Sequence, residues 1–264
     1  MPDKSAVSVV IPCYDDGRFL LEAVESVLKA ASSAEILVVD DGSTDAETLA
    51  SFESARDLGC QVIDRPHAGL SAARNAGIEA ARVTYILPLD SDDRLREGFV
   101  DEAVALLEAD PDTGVVYGAR VEFGDREALV MPPEPTLETI LWGNTLHVTC
   151  LYRKALWADV GGYDTALPAW EDWEFWIHAL ARGWAFRALD RPAYDYRIRA
   201  DSLVNITQDQ EVVKEIVAHV VAKHRDLFMR FLPERLGPLW LWPAMQEQRL
   251  VELEGKLRQL EGRA

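Results

Sequence analysis

Positive charge is the first thing this sequence is short of. Against 45 acidic residues stand 27 basic ones, a net charge of −18. Nucleic acid and anionic membrane both select basic patches, so neither is expected as a bulk partner. Long apolar runs are also missing, since none approaches the roughly 20 residues of a membrane span. The N-terminus, Met-Pro-Asp-Lys-Ser, lacks a signal-peptide pattern. Cysteine is sparse: Cys13, Cys60 and Cys150 are odd in number and scattered, which reads as reduced thiols in a cytoplasmic protein rather than a disulfide framework or a zinc site. The expected location is therefore cytoplasmic, free or peripheral to a membrane. Several familiar motifs are absent too. There is no Gly-x-x-x-x-Gly-Lys loop, and no Gly-x-Gly-x-x-Gly after a strand. There is no Gly-x-Ser-x-Gly or His-Glu-x-x-His, which weakens hydrolase readings.

What is present is an alternation of short apolar runs and helical periodicity. Val7 to Ile11, Glu35 to Val39, Cys60 to Ile63 and Tyr85 to Leu89 read as buried strands. Between them, Leu20, Val24, Val27 and Leu28 recur at helical spacing, Thr44 and Glu47 fit a capping box, and Gly69 to Ala81 is Ala-rich and helical. Strand and helix in alternation predict βαβ units and a largely parallel sheet, with ligands at the carboxyl ends of its strands. Val115 to Ala119, His147 to Tyr152 and Ala193 to Ile198 read as further strands. Met131 to Pro135 reads as a proline-blocked loop able to act as a flap.

The chemistry gathers at those carboxyl ends. Tyr85 to Leu89 runs into three carboxylates, Asp90, Asp92 and Asp93. Like charges crowded there make sense around a hard divalent cation such as Mg²⁺ or Mn²⁺, with substrate phosphates completing its shell. A solvated acidic turn capping a helix is the alternative. Pro12 to Tyr14 and Asp40-Asp41 fall after their own strands on the same edge.

Four motifs in order carry a resemblance. They are Ser8-Val-Val-Ile-Pro-Cys-Tyr-Asp15, Glu35-Ile-Leu-Val-Val-Asp-Asp-Gly-Ser-Thr-Asp45, Ala68-Gly-Leu-Ser-Ala-Ala-Arg-Asn-Ala-Gly77 and Leu89-Asp-Ser-Asp-Asp93. Together they resemble glycosyltransferase family 2. The resemblance implies a GT-A fold, an α/β architecture with a mostly parallel central sheet flanked by helices. It implies an inverting transfer from a nucleotide-diphospho-sugar, a UDP-sugar by preference, to an acceptor hydroxyl, with Mn²⁺ or Mg²⁺ as cofactor. By position, Pro12 and Tyr14 would line base and ribose, Asp41 would accept from the base, Arg74 would face the diphosphate, and Asp90 would sit near the ribose. Asp92 would be the main metal ligand, with Asp93 beside it. In Ala169-Trp-Glu-Asp-Trp-Glu-Phe-Trp176, which resembles the family's acceptor-side motif, Asp172 would be the general base. Glu171, Trp170 and Trp173 would line the acceptor side. Aromatic neighbours should desolvate Asp172 and raise its pKa. Each role has a plainer reading: Tyr14 as packing, Arg74 on a surface carboxylate, the tryptophans as core, Asp172 as a helix N-terminal acid.

One departure stands out. Family members often carry a histidine where this chain has Arg199, and a guanidinium cannot ligate a metal but can pair with phosphate. The expected domains are a transferase domain over 1–204 and a C-terminal helical extension over 205–264. In the extension, Leu236 to Met245 is a Trp- and Pro-rich docking patch. Leu250, Leu253, Leu257 and Leu260 follow a coiled-coil seam that would allow a homodimer. The rival functional classes are a non-catalytic nucleotide-binding module and a scaffold assembled by that coiled coil.

Overall fold

The computed structural model describes residues 6–236. The chain divides into two compact units, the first ending at Val220 and the second beginning at Val221. In chain order the first unit contains β1 (Val7–Cys13), α1 (Leu20–Ala30), β2 (Glu35–Asp40), α2 (Ala46–Asp57), β3 (Gln61–Asp64), α3 (Leu70–Ala80), β4 (Tyr85–Pro88) and β5 (Arg94–Leu95). It continues with α4 (Phe99–Ala109), β6 (Thr113–Gly124), β7 (Ala128–Val130), α5 (Leu137–Ile140), β8 (Leu151–Arg153), α6 (Lys154–Val160), α7 (Glu171–Ala181) and β9 (Ala185–Ile198). Last comes α8 (Gln210–Lys223), whose final three residues fall in the second unit, and that unit carries further helix over 225–236. The Trp- and Pro-rich patch beyond Leu236 and the leucine seam lie outside the described residues. No described helix is long and apolar enough to cross a membrane.

The strands form one sheet in the order β3-β2-β1-β4-β8-β6-β9-β5, with β7 on the side of β6. The first four are parallel, as the βαβ reading predicts. The other half is mixed: β8 is antiparallel to β4 and β6, β9 is parallel to β6, and β5 is antiparallel to β9. The sheet is thus less parallel than the sequence suggests, because β8 arrives after the 131–150 segment rather than after a crossover helix. Of the strand read over His147 to Tyr152, only Leu151 onward pairs.

β1 sits centrally with Val7, Val9, Val10 and Ile11 completely buried. Each such side chain contributes about 1.5–3 kcal/mol by leaving water. α3 packs close over this strand because Gly77 has no side chain. A Cβ there would meet Val10 Cγ1 at 2.5 Å and Val39 Cγ2 at 2.9 Å. Gly77→Ala is therefore expected to cost about 1–3 kcal/mol by overpacking, read as a lower denaturant midpoint at unchanged slope. α2 begins one residue later than the capping box placed it. Asp45 is the N-cap and accepts from Thr48 N at 2.8 Å, a carboxylate being favoured at that end of a helix. The three cysteines are free and buried. Burial pushes the Cys13 thiol up to about 12 and that of Cys60 to about 11, so neither is a thiolate near neutral pH.

Candidate active site

The carboxyl ends of β1, β2 and β4 bring the upstream motifs to one edge. After β1, Asp15 takes a positive φ of 46° and its Oδ1 accepts from Thr44 N at 2.7 Å and Asp45 N at 2.9 Å. The loops after β1 and β2 are thereby tied together. Tyr14 is 47% exposed and stacks on His67 with ring centroids 4.1 Å apart. Pro12 is buried within β1, facing Val39 of β2. Asp41 is buried and already well supplied with donors: Arg65 Nη1 at 2.9 Å, Gly69 N at 2.8 Å and Ala68 N at 3.2 Å. Its carboxylate orders the 65–69 turn that precedes α3.

Arg74 is the hub of the site. It is 1% exposed on α3, where its Nη2 donates to Asp90 Oδ1 at 2.5 Å and its Nη1 pairs with Glu171 Oε1. The guanidinium expected to face a diphosphate thus spans two carboxylates, one after β4 and one opening α7. Tyr163 lies against it, with Arg74 Cζ 5.8 Å from the ring centroid. Burial disfavours the Arg74 charge, but Asp90 and Glu171 more than reverse that and hold it protonated. In turn Arg74 overcomes the burial of Asp90 and keeps that carboxyl below its usual range. The next residue of α3, Asn75, accepts from Trp157 Nε1 at 2.9 Å and Tyr163 N at 2.8 Å, and donates to Tyr163 O at 2.8 Å. That clamp explains the turn at Gly162, whose φ of +81° is a glycine conformation and whose missing Cβ would sit 2.8 Å from Asn75 Oδ1.

Glu171 and Asp172 occupy the first turn of α7, where the helix dipole favours anions. Trp170 precedes them at φ 58° and ψ 26°, a left-handed conformation that is strained for a bulky residue. Asp172 Oδ1 accepts from Asn144 Nδ2 at 2.9 Å and from Trp173 N at 2.8 Å. Burial, with the Glu171 charge adding to it, raises the Asp172 carboxyl to about 7. Trp173 is 3% exposed and donates from Nε1 to Ile140 O at 2.5 Å, so it is a core anchor rather than an open stacking face. Trp170 is half-buried, edge-on to Trp173.

The turn after β4 is held from β9. Arg197 N donates to Asp93 Oδ1 at 2.9 Å and Arg197 Nε to Asp92 O at 2.8 Å. Arg199 Nε donates to Asp92 Oδ2 at 2.7 Å, and the same guanidinium pairs with Asp16 and Asp201. The two residues expected to ligate a metal therefore differ in setting. Asp92 already has a cationic partner, whereas Asp93 Oδ2 is buried with no hydrogen-bond partner among the described residues. Asp90, Asp93 and His147 place potential ligand atoms all within 4.8 Å of one another. Burial, followed by the pull of Asp90 in the other direction, leaves His147 at about 4, a neutral imidazole near pH 7. Burial and the neighbouring Asp90 and Asp92 push the Asp93 carboxyl well up. Two crowded carboxylates, an orphaned oxygen and a neutral imidazole fit a divalent cation.

Asn144, His147, Asp16 and His67 are the site's additions to the sequence reading. Asp16 and His67 border two of the motifs and His147 opens a stretch read as a strand, but the motifs and the strand pattern do not themselves mark these residues, and nothing local marks Asn144.

The glycosyl transferase family 2 model matches residues 8–155. The chain is 29% identical over 235 residues to the uncharacterized glycosyltransferase EpsJ of Bacillus subtilis (strain 168), covering 81% of this chain and 68% of that protein. It is 37% identical over 116 residues to the glycosyltransferase GlyG of Streptococcus pneumoniae, covering 42% of this chain but 38% of GlyG, well under two thirds of that relative. Among solved structures, S. aureus TarS 1–349 in complex with UDP-GlcNAc superposes with a TM-score of 0.69 at 23% identity, over 88% of this chain and 72% of that one. The complex of the same TarS fragment with UDP gives 0.65 at 24% identity, over the same shares. These structural likenesses show the fold expected from the motifs.

Proposed function

The chain belongs to glycosyl transferase family 2, and from that premise we propose that it is an inverting glycosyltransferase, moving a sugar from a nucleotide-diphospho-sugar to an acceptor hydroxyl. The observation that carries this reading is the Asp90–Arg74–Glu171 bridge. Through one guanidinium it links the acidic turn after β4 to the start of α7, one residue from Asp172. The donor lies over the carboxyl ends of β1, β2 and β4, with its base at Tyr14 and the Asp41-ordered turn, and its diphosphate toward Asp92 and Arg199. The complexes of TarS with UDP and UDP-GlcNAc support UDP as the base-bearing diphosphate.

Asp172 is the general base. It takes the acceptor's proton as that oxygen bonds to the anomeric carbon and the bond to the diphosphate oxygen breaks on the opposite face. A carboxyl at about 7 is basic enough to accept that proton and still ionised in part at neutral pH. Arg74 positions: it fixes Asp90 and Glu171 and keeps Glu171 from repelling Asp172 unopposed. A divalent ion would be held by Asp90 and Asp93 with His147, whose ligand atoms lie within 4.8 Å of one another, and Asp92 would be the further carboxylate offered to it. Such an ion supplies charge neutralisation to the departing diphosphate. The transferase domain is proposed to run over 1–204 as the motifs suggest.

A thermal-shift screen of nucleotides and nucleotide sugars, with and without Mn²⁺, tests the donor. A UDP-sugar is expected to raise the melting temperature by mass action, and no response to any nucleotide diphosphate would sink the reading. Slow release of UDP from the selected donor in water separates an enzyme from a binding module. Asp92→Ala is expected to weaken donor affinity and its dependence on Mn²⁺ together. Calorimetry finding an unchanged metal-dependent affinity would remove Asp92 from that role.

A further inference from the structure

We infer that Asn144 is the positioning residue for the Asp172 carboxylate, fixing which of its two oxygens does the chemistry. This rests on Asp172 being the base. Among the described residues, both donors to the carboxylate, Asn144 Nδ2 at 2.9 Å and Trp173 N at 2.8 Å, go to Oδ1. Oδ2 is left as the oxygen that meets the acceptor hydroxyl. The amide orientation follows from chemistry, since the carbonyl end of Asn144 facing a carboxylate would be repulsive.

The loop carrying Asn144 is built to hold that geometry. Leu141 and Leu146 are buried on either side of it. The Ile140 carbonyl just before it takes the Trp173 Nε1 hydrogen bond at 2.5 Å. The loop is therefore pinned to the same turn of α7 that carries Asp172. The charged and titratable groups facing Asp172 are Arg74 from α3, Glu171 from α7 and Cys150 from the chain entering β8. Asn144 differs from Arg74 and Glu171 in acting without charge. A hydrogen bond to the ionised form favours that form, so Asn144 stabilises the carboxylate while directing it. Desolvation acts in the opposite direction, and the two together leave the group ionisable yet basic.

The test uses the whole chain, the UDP-sugar selected by the thermal-shift screen, and the pH dependence of UDP release. Asn144→Leu removes the donor at similar volume and is expected to move the acid limb of the profile up by roughly one pH unit. Turnover then falls about tenfold below the limb and recovers to within a few-fold above it. Asn144→Asp keeps the shape and places a second carboxyl on Oδ1, so it is expected to move the limb further in the same direction. Carbon-13 titration of the Asp172 carboxyl should report the same displacements independently of activity. If either variant lowers turnover equally at every pH, with the Asp172 titration unmoved, Asn144 is only structural and the inference falls. Asp172→Asn run alongside separates the two levels. Should that variant keep its turnover, the base assignment itself fails. Should it lose turnover while the Asn144 profiles stay put, this inference alone fails.

Discussion

Asp172→Asn is expected to lower turnover by about 10²- to 10⁴-fold, the usual contribution of a positioned general base, or about 3–5 kcal/mol of barrier. Donor affinity should hardly change, because the amide keeps the shape and the donor's nucleotide is proposed to lie toward Tyr14 and Asp41. Isothermal titration with the donor and steady-state rates with any active acceptor measure the two effects separately. Nearly normal turnover would remove Asp172 from the role. The wild-type rate should rise with pH through about 7, the value to which burial and Glu171 bring this carboxyl, since only the ionised form accepts the proton.

The same variant carries a stability signature of opposite direction. A carboxyl whose folded pKa lies above its unfolded value makes the folded state bind the extra proton. Folded stability from this group is greatest in acid and falls as pH rises from about 4 toward 7. Asparagine has no such titration. Asp172→Asn should therefore melt higher than wild type at pH 8, and the difference should narrow as pH falls below 7 and close only near pH 4. A variant that loses turnover yet gains stability marks a carboxylate held under cost for function.

The second large effect is expected at Arg74. Arg74→Met leaves Asp90 and Glu171 without the guanidinium that both use, in a site where Arg74 itself is 1% exposed. Removing one partner of a buried ion pair costs about 3–5 kcal/mol because the remaining charge is uncompensated. For a chain of this size that is a fall in melting temperature of roughly 10 °C. Part of the loss should return as pH drops through the carboxylate range, since protonation neutralises the stranded groups. The double variant Arg74→Met with Glu171→Gln should recover part of the stability at neutral pH, which separates charge from packing. Equal melting of wild type and Arg74→Met at pH 7.5 would show that the bridge contributes nothing to the fold.

The parallel half of the sheet was legible because burial leaves a direct trace: Val9 to Ile11 in β1 and Ile36 to Val39 in β2 are apolar runs, and α1 between them keeps one apolar stripe. The acidic turn after β4 and the Glu171-Asp172 pair were legible as motifs. Their partners were not. Arg74 reads as a diphosphate ligand, with a surface carboxylate as the plainer alternative, and the structure buries it between Asp90 and Glu171. Trp173 reads as an open ring or as core, and the Ile140 carbonyl made it core. The strand read at His147 pairs only from Leu151, and His147 itself stands beside Asp90 and Asp93.

By itself the sequence determined the family, the α/β class, and which carboxylates stand at strand ends and at the start of α7, since periodicity and short motifs are properties of neighbours along the chain. Only the tertiary structure decided which opposite charge each carboxylate receives: Asp90 and Glu171 share Arg74, Asp92 takes Arg199, and Asp172 takes the neutral Asn144. Those pairings depend on distances between residues far apart in sequence, which no local pattern encodes.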